Sequence, residues 1–149
     1  MFVKSLMLFV IVGVVAGLAF GVYLLDMKNT NQLVFVDGPS ISIVIEKTDF
    51  KKGEEITFKI VNSGTVQLRY HNHTLGLKIT DLAGIEIVAW VNTPDEELQL
   101  EPRAELVRVW SQHKSDGEPV LEGLYKIHVM AYDEQQNWVK DTATITIWK

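Results

Sequence analysis

The sequence has no cysteine, only four prolines in 149 residues, and fewer basic side chains (14) than acidic ones (19). Without cysteine there is no disulfide scaffold, thiolate zinc or iron–sulfur site, blue-copper centre, cysteine nucleophile or lipid-modified N-terminal cysteine. A net charge of −5 provides no general basic face for phosphate backbones, so nucleic acid is not an expected partner. No glycine-rich phosphate loop, paired-carboxylate spacing, internal repeat or low-complexity tract stands out. The length suits one ordinary domain and excludes a second large one.

Hydrophobic residues make up 47% of the chain and are unevenly distributed. Ser5 to Leu25 carries no charge, and its roughly 21 residues at about 1.5 Å each would span a hydrocarbon core. The expectation is an uncleaved transmembrane anchor over residues 1–28 with its short flanks. A signal peptide cut near Gly17-Leu18-Ala19 is the competing reading, but Phe20 to Leu25 prolongs the apolar run past that point. The N-terminal amine and Lys4 before the run, against Asp26 with Lys28 after it, favour an internal N-terminus, placing a single-pass protein with its body outside the cell membrane. Gly13, Gly17 and Gly21 share one helical face and suggest a close helix–helix contact, with a second copy or a larger membrane complex.

A short polar stalk, 29–32, leads into residues 33–149, where apolar residues alternate with a period of two. Ile41, Ile43 and Ile45 begin a clear series. Ile56, Phe58 and Ile60 continue it, then Val66 to Tyr70, Leu75 to Ile79, Ile85 to Trp90, Leu98 to Leu100 and Leu106 to Trp110. Tyr125 to Ala131 and Ala143 to Ile147 close it. Leu33 to Val36 reads as a further strand start, and Asp49 to Glu54 and Asn62-Ser63-Gly64 read as turns. No crossover helices are available for a parallel α/β fold. The expected fold class is therefore all-β: an antiparallel immunoglobulin-like sandwich of about eight strands behind one transmembrane helix.

Between Asn62 and Tyr125 the residues Asn62-Ser63-Gly64, Leu77, Ile79, Asp81, Gly84, Val88 and Trp90 continue into Leu100-Glu101-Pro102, Trp110-Ser111-Gln112, Gly117, Val120, Gly123 and Tyr125. This stretch resembles the BsuPI-type intracellular proteinase inhibitor domain, an immunoglobulin-like sandwich. The resemblance implies the fold and an inhibitory function, with Arg103 standing where glycine is usual and no reactive loop to match. In plan alone, one helix before a sandwich, the chain also resembles archaellum stator proteins.

Several residues are candidates for chemistry. His71 and His73, two apart on a strand, share a face and could hold Cu(II) or Zn(II) if a third ligand joined them; His113 and His128 are the remaining histidines. Asn72-His73-Thr74 is a glycosylation acceptor at Asn72. Ser111-Gln112-His113-Lys114 fits Ser-x-x-Lys, though outside a helix start. Asp95-Glu96-Glu97 and Asp116-Gly117-Glu118 read as solvated acidic loops rather than Ca²⁺ sites. Trp90 and Trp110 are expected in the core, whereas Trp138 and Trp148 could be exposed. No set assembles a catalyst, and no cofactor is expected. The leading expectation is a non-enzymatic protein-binding or accessory subunit that meets its partner through loops bearing Asn92, Asp95, Glu96, His113, Asp116 and Glu118.

Overall fold

A computed structural model describes the backbone of residues 2–29, 33–71, 75–90 and 97–149, and the side chains of 9–23, 33–70, 75–90 and 99–149. The chain divides into two compact units, Met1–Gln32 and Leu33–Lys149. The first contains helix α1, Phe2–Asn29. Its described side chains are apolar and exposed on every side, and a Cβ added at Gly13, Gly17 or Gly21 would meet nothing within 4 Å. Among the described residues no helix is long and apolar enough to cross a membrane. This finding corrects the expected transmembrane anchor, the single-pass placement at the cell membrane and the membrane as a partner.

The described residues of the second unit form ten strands. A three-stranded sheet has the order β1 (Ile41–Ile45), β3 (Ile56–Asn62), β8 (Glu105–Trp110). The larger sheet runs β2 (Asp49–Lys51), β10 (Trp138–Trp148), β9 (Gly123–Tyr132), β4 (Leu68–His71), β7 (Glu97–Leu100). On the same edge of β9, β5 (Lys78–Asp81) pairs with it and with β6 (Glu86–Ala89). Alternate residues of both sheets meet in one core: Ile43, Phe58, Ile60 and Trp110 from the smaller, and Leu68, Ile79, Ile127, Val129, Ile145 and Ile147 from the larger. Tyr125 fixes the entry to β9, its hydroxyl donating to the Leu121 carbonyl at 2.7 Å, as at the corner of immunoglobulin-like sandwiches.

Two local readings of the sequence need correction, and a third gains a role. Residues 33–36 form no strand; Val36 only donates its N–H to the Ser63 carbonyl. Asp49–Lys51, read as part of a turn, is a strand, and it runs parallel to β10 with Phe50 buried in the core. The sandwich is therefore not wholly antiparallel. Asn62 ends β3 and opens the turn read there, its Oδ1 accepting from Gly64 N–H two residues on, while its amide also reaches Leu100 in the interior.

The β4–β7 and β5–β6 pairs are the two halves of one long interrupted hairpin. Leu68 lies opposite Leu100 in one half and Lys78 opposite Ala89 in the other. Leu75 and Gly76, both left-handed (φ 51° and 54°), help bridge β4 to β5. Leu75 is buried and its carbonyl accepts from Met130 N–H at 2.8 Å. Gly76 permits this approach: a Cβ there would lie 2.5 Å from Met130 Cγ.

Polar side chains tie the body together where strands alone do not. Asn62 Nδ2 donates to the carbonyls of Val66 (2.9 Å) and Leu100 (2.8 Å), and its Oδ1 accepts from Gly64 N–H (3.1 Å). The Leu100 bond joins the smaller sheet to the larger. Asp141 on β10 accepts from the Ile43 N–H of β1 at 2.7 Å, a second bond between the sheets. Buried Gln112 donates to the carbonyls of Lys51 and Glu54 and accepts from Gly53 N–H, holding the β2–β3 turn.

Two outcomes follow from these contacts. Asn62→Ala leaves two carbonyls and an N–H without their partner and should lower the free energy of unfolding by at least about 1–3 kcal/mol in a denaturant titration. Asp133, in the β9–β10 turn, accepts from the Asn137 amide and from the N–H groups of Gln135 and Asn137, which hold its carboxyl below the usual value. The unfolded chain binds that proton more readily. The stabilisation is thus full above the ordinary aspartate value, about pH 4, and lost as pH falls through the folded one. Asp133→Asn should flatten this acid limb in a plot of Tm against pH.

Candidate functional site

The expected interaction residues fall partly outside the described structure. Asn92, Asp95 and Glu96 lie outside the described residues, as do Asn72 and His73. His71 ends β4 opposite Glu97, and its side chain is outside the description. Among the described residues no group of three metal-ligating side chains occurs.

The loop carrying His113, Asp116 and Glu118 is described and is closed on itself. Lys114 N–H donates to the Glu118 carbonyl (2.8 Å), Gly117 N–H to the Lys114 carbonyl (3.0 Å), and Glu118 N–H to Asp116 Oδ1 (3.0 Å). His113 Nδ1 lies 2.7 Å from the Ser111 carbonyl, and Trp110 Nε1 donates to the His113 carbonyl. Lys114 Nζ is 3.0 Å from Glu118 Oε2, and that carboxylate raises the lysine's pKa. A Ser-x-x-Lys mechanism needs a lysine that readily loses its proton, and this pairing acts in the opposite direction.

A different surface emerges from strand register. Along β9, Tyr125, Ile127 and Val129 point into the core, so Lys126, His128 and Met130 point out. Pairing sets Lys78 of β5 and Thr142 of β10 beside His128, and Thr80 and Thr144 beside Lys126. Lys140 lies opposite Met130, and Trp138 opposite Tyr132. The result is a recess of about 330 Å³ lined by Lys78, Thr80, Lys126, His128, Lys140 and Thr142, with Asp81, Gly84 and Asp141 on its wall.

Its polar groups fall into two kinds. The His128 ring is occupied at both nitrogens: Nε2 is 3.0 Å from Thr80 Oγ1 and Nδ1 is 3.0 Å from Thr142 Oγ1. Each hydroxyl can donate or accept, so either tautomer is satisfied. Both carboxylates serve the backbone, Asp81 accepting from Ile85 N–H at 2.9 Å and Asp141 from Ile43 N–H. In contrast, no carboxylate among the described residues forms an ion pair with Lys78, Lys126 or Lys140. Glu86, on β6, stands two strands from Lys126 at the rim.

An apolar groove of about 350 Å³ adjoins the recess, lined by Met130, Trp138, Val139 and Lys140. Trp138 is 63% exposed and its ring lies 5.0 Å from that of Tyr132. Trp148 is 46% exposed at the other end of β10, while Trp110 is buried and Trp90 packs edge-on against Phe58. Lys78, Lys126 and Lys140 are too far apart in sequence to announce a cluster. The available signal was the basic outward set on β9, Lys126 and His128, once its inward set was recognised.

Burial foremost, and then the charges of Lys78 and Lys126, lower the pKa of His128. The ring is therefore neutral at pH 7. A proton titration followed by NMR should give a midpoint below about 6.5, and Lys78→Gln or Lys126→Gln should raise it. The unfolded chain takes up this proton first, so the histidine's contribution to stability is full above about pH 6.5 and falls as pH drops toward the folded value.

No family model matches the chain, and no curated protein matches it. Solved structures that resemble it include PorZ, a surface component of the type-IX secretion system of Porphyromonas gingivalis, at 15% identity over 72% of this chain, TM-score 0.36. Spo0M, a sporulation control protein from Bacillus subtilis, aligns over 76% of the chain at 11% identity and TM-score 0.41. A superoxide reductase (neelaredoxin) from Ignicoccus hospitalis aligns over 78% of this chain and 96% of its own at 7% identity, TM-score 0.43. The chain spans 12% of the length of PorZ and 51% of that of Spo0M. At these identities and scores, neither a family nor an activity follows.

Proposed function

We propose that the Leu33–Lys149 unit is a non-catalytic binding module whose recognition face is the outer surface of β5, β9 and β10. The observation that carries this reading is the set of three lysines, one from each strand, around a recess whose acids already serve the backbone. On a chain of net charge −5 this gathers three cations on one face, suited to meeting a partner rather than to solubility alone. The histidine at its centre is held at both nitrogens by threonines, which suits a positioned surface better than a proton shuttle or a metal ligand. An exposed tryptophan at the margin supplies the kind of side chain that anchors protein interfaces.

A photo-crosslinking amino acid placed at Lys126 or Lys140 tests this in the native cell, with Lys59 and Val107 on the outer face of the smaller sheet as controls. The expected result is a covalent adduct with a discrete protein from the first pair and none from the controls. Adducts from the control positions alone, or from no position, would overturn the reading.

A further inference from the structure

Resting on that reading, we infer that the face takes an extended acidic segment of a partner protein, with carboxylates on alternate residues followed by an apolar side chain. The argument lies in the order of the rows. Along β9, the row at Lys126 carries that lysine, the row at His128 carries Lys78, and the row at Met130 carries Lys140. The next row carries Trp138, lying beside Tyr132. Outward residues on a strand are about 6.8 Å apart, so the three cation rows span roughly 13–14 Å. A lone oxyanion reaches one row. An extended peptide has the same two-residue spacing and meets all three, then sets its next outward residue into the Met130–Trp138–Val139 groove.

The chemistry of the cations points the same way. Neither recess is lined by arginine, the planar fork suited to bidentate phosphate recognition; lysine ammoniums on flexible stems suit single carboxylates spaced along a chain. Arg69, in the Tyr132 row, is already 3.1 Å from Glu134. A long polyanion such as nucleic acid would run beyond the patch onto an acidic protein, whereas a short segment stays within about one screening length of the lysines.

The test uses the full chain and a fluorescein-labelled heptapeptide with glutamates at its first, third and fifth positions, leucine at the seventh and serines between. The reversed sequence is a second probe, because the rows do not fix chain direction. Anisotropy should report binding by one of the two that weakens with salt. Replacing the glutamates by glutamines should weaken it about tenfold or more, since each exposed ion pair contributes up to a few-fold. Lys78→Gln/Lys126→Gln/Lys140→Gln should do the same, and Trp138→Ser should weaken binding without changing its salt dependence. Lys126→Gln alone, with a smaller loss, keeps the test valid should the triple variant unfold. Lys59→Gln, on the other sheet, should have no effect.

The inference is overturned if neither peptide binds, if the glutamine peptide or the lysine variants bind as well as their parents, or if inorganic phosphate or oligodeoxythymidine competes at a lower concentration than unlabelled peptide. Crosslinks at Lys126 and Lys140 without peptide binding would overturn only the acidic segment; loss of both results would remove the binding-module reading as well.

Discussion

Asn62 stands where two sheets meet that share no strand pairing. Its amide donates across the gap to Leu100 of the larger sheet and within its own loop to Val66, while accepting from Gly64 N–H. A buried primary amide has two donors and one carbonyl acceptor, and here each has a partner. The neighbours extend the knot. The Ser63 hydroxyl lies 2.8 Å from those of both Ser40 and Ser42, and a Cβ on Gly64 would lie 2.1 Å from the Gly38 carbonyl oxygen. With no disulfide available, hydrophobic burial brings the sheets together, and this directional bond, with that of Ile43 to Asp141, ties one sheet to the other.

The candidate site depends on the same constraint at one remove. Strand β9 is the structural axis of the larger sheet, pairing with β10, β4 and β5. Its inward residues, Tyr125, Ile127, Val129 and Ala131, are fixed by the core, and this places Lys126, His128 and Met130 outward. A slip of one residue would bury Lys126 and His128 and expose the isoleucine and valine, at a large desolvation cost. Asp141 acts on both sides of the arrangement. By accepting from Ile43 N–H it bonds the sheets together, with its carboxylate held toward β1. Among the described residues the three lysines form no ion pair with these acids.

The β4–β7 region shows why strand count and strand continuity differ. The alternation from Val66 to Ile79 reads as two adjacent strands, and in space these are pieces of one edge laid along β9 with an interruption between them. Leu75 and Gly76 hold the end of that interruption against Met130, so the apolar groove beside Trp138 owes part of its wall to a residue that pins a loop. Glycine at 76 is required both by its left-handed φ and by the closeness of Met130 Cγ.

Period-two alternation by itself determined that residues beyond the first unit form strands, and the inward sets Ile41-Ile43-Ile45, Ile56-Phe58-Ile60 and Tyr125-Ile127-Val129 are readable because burial selects side chains one residue at a time. The fate of Asp49–Lys51 and of Asn62 was not readable locally. A lone Phe50 between charged neighbours resembles a turn until β10 offers it a parallel partner, and Asn62 reads as the turn former it is without showing that Leu100, from the other sheet, also gives its amide an acceptor. An apolar run in the first unit suggested a membrane helix, yet among the described residues none is long and apolar enough to span one. The lysine face belongs wholly to tertiary structure. Lys78, Lys126 and Lys140 become neighbours only through the pairings of β5 and β10 with β9, and no pattern local to any one of the three strands records which residues will lie opposite one another.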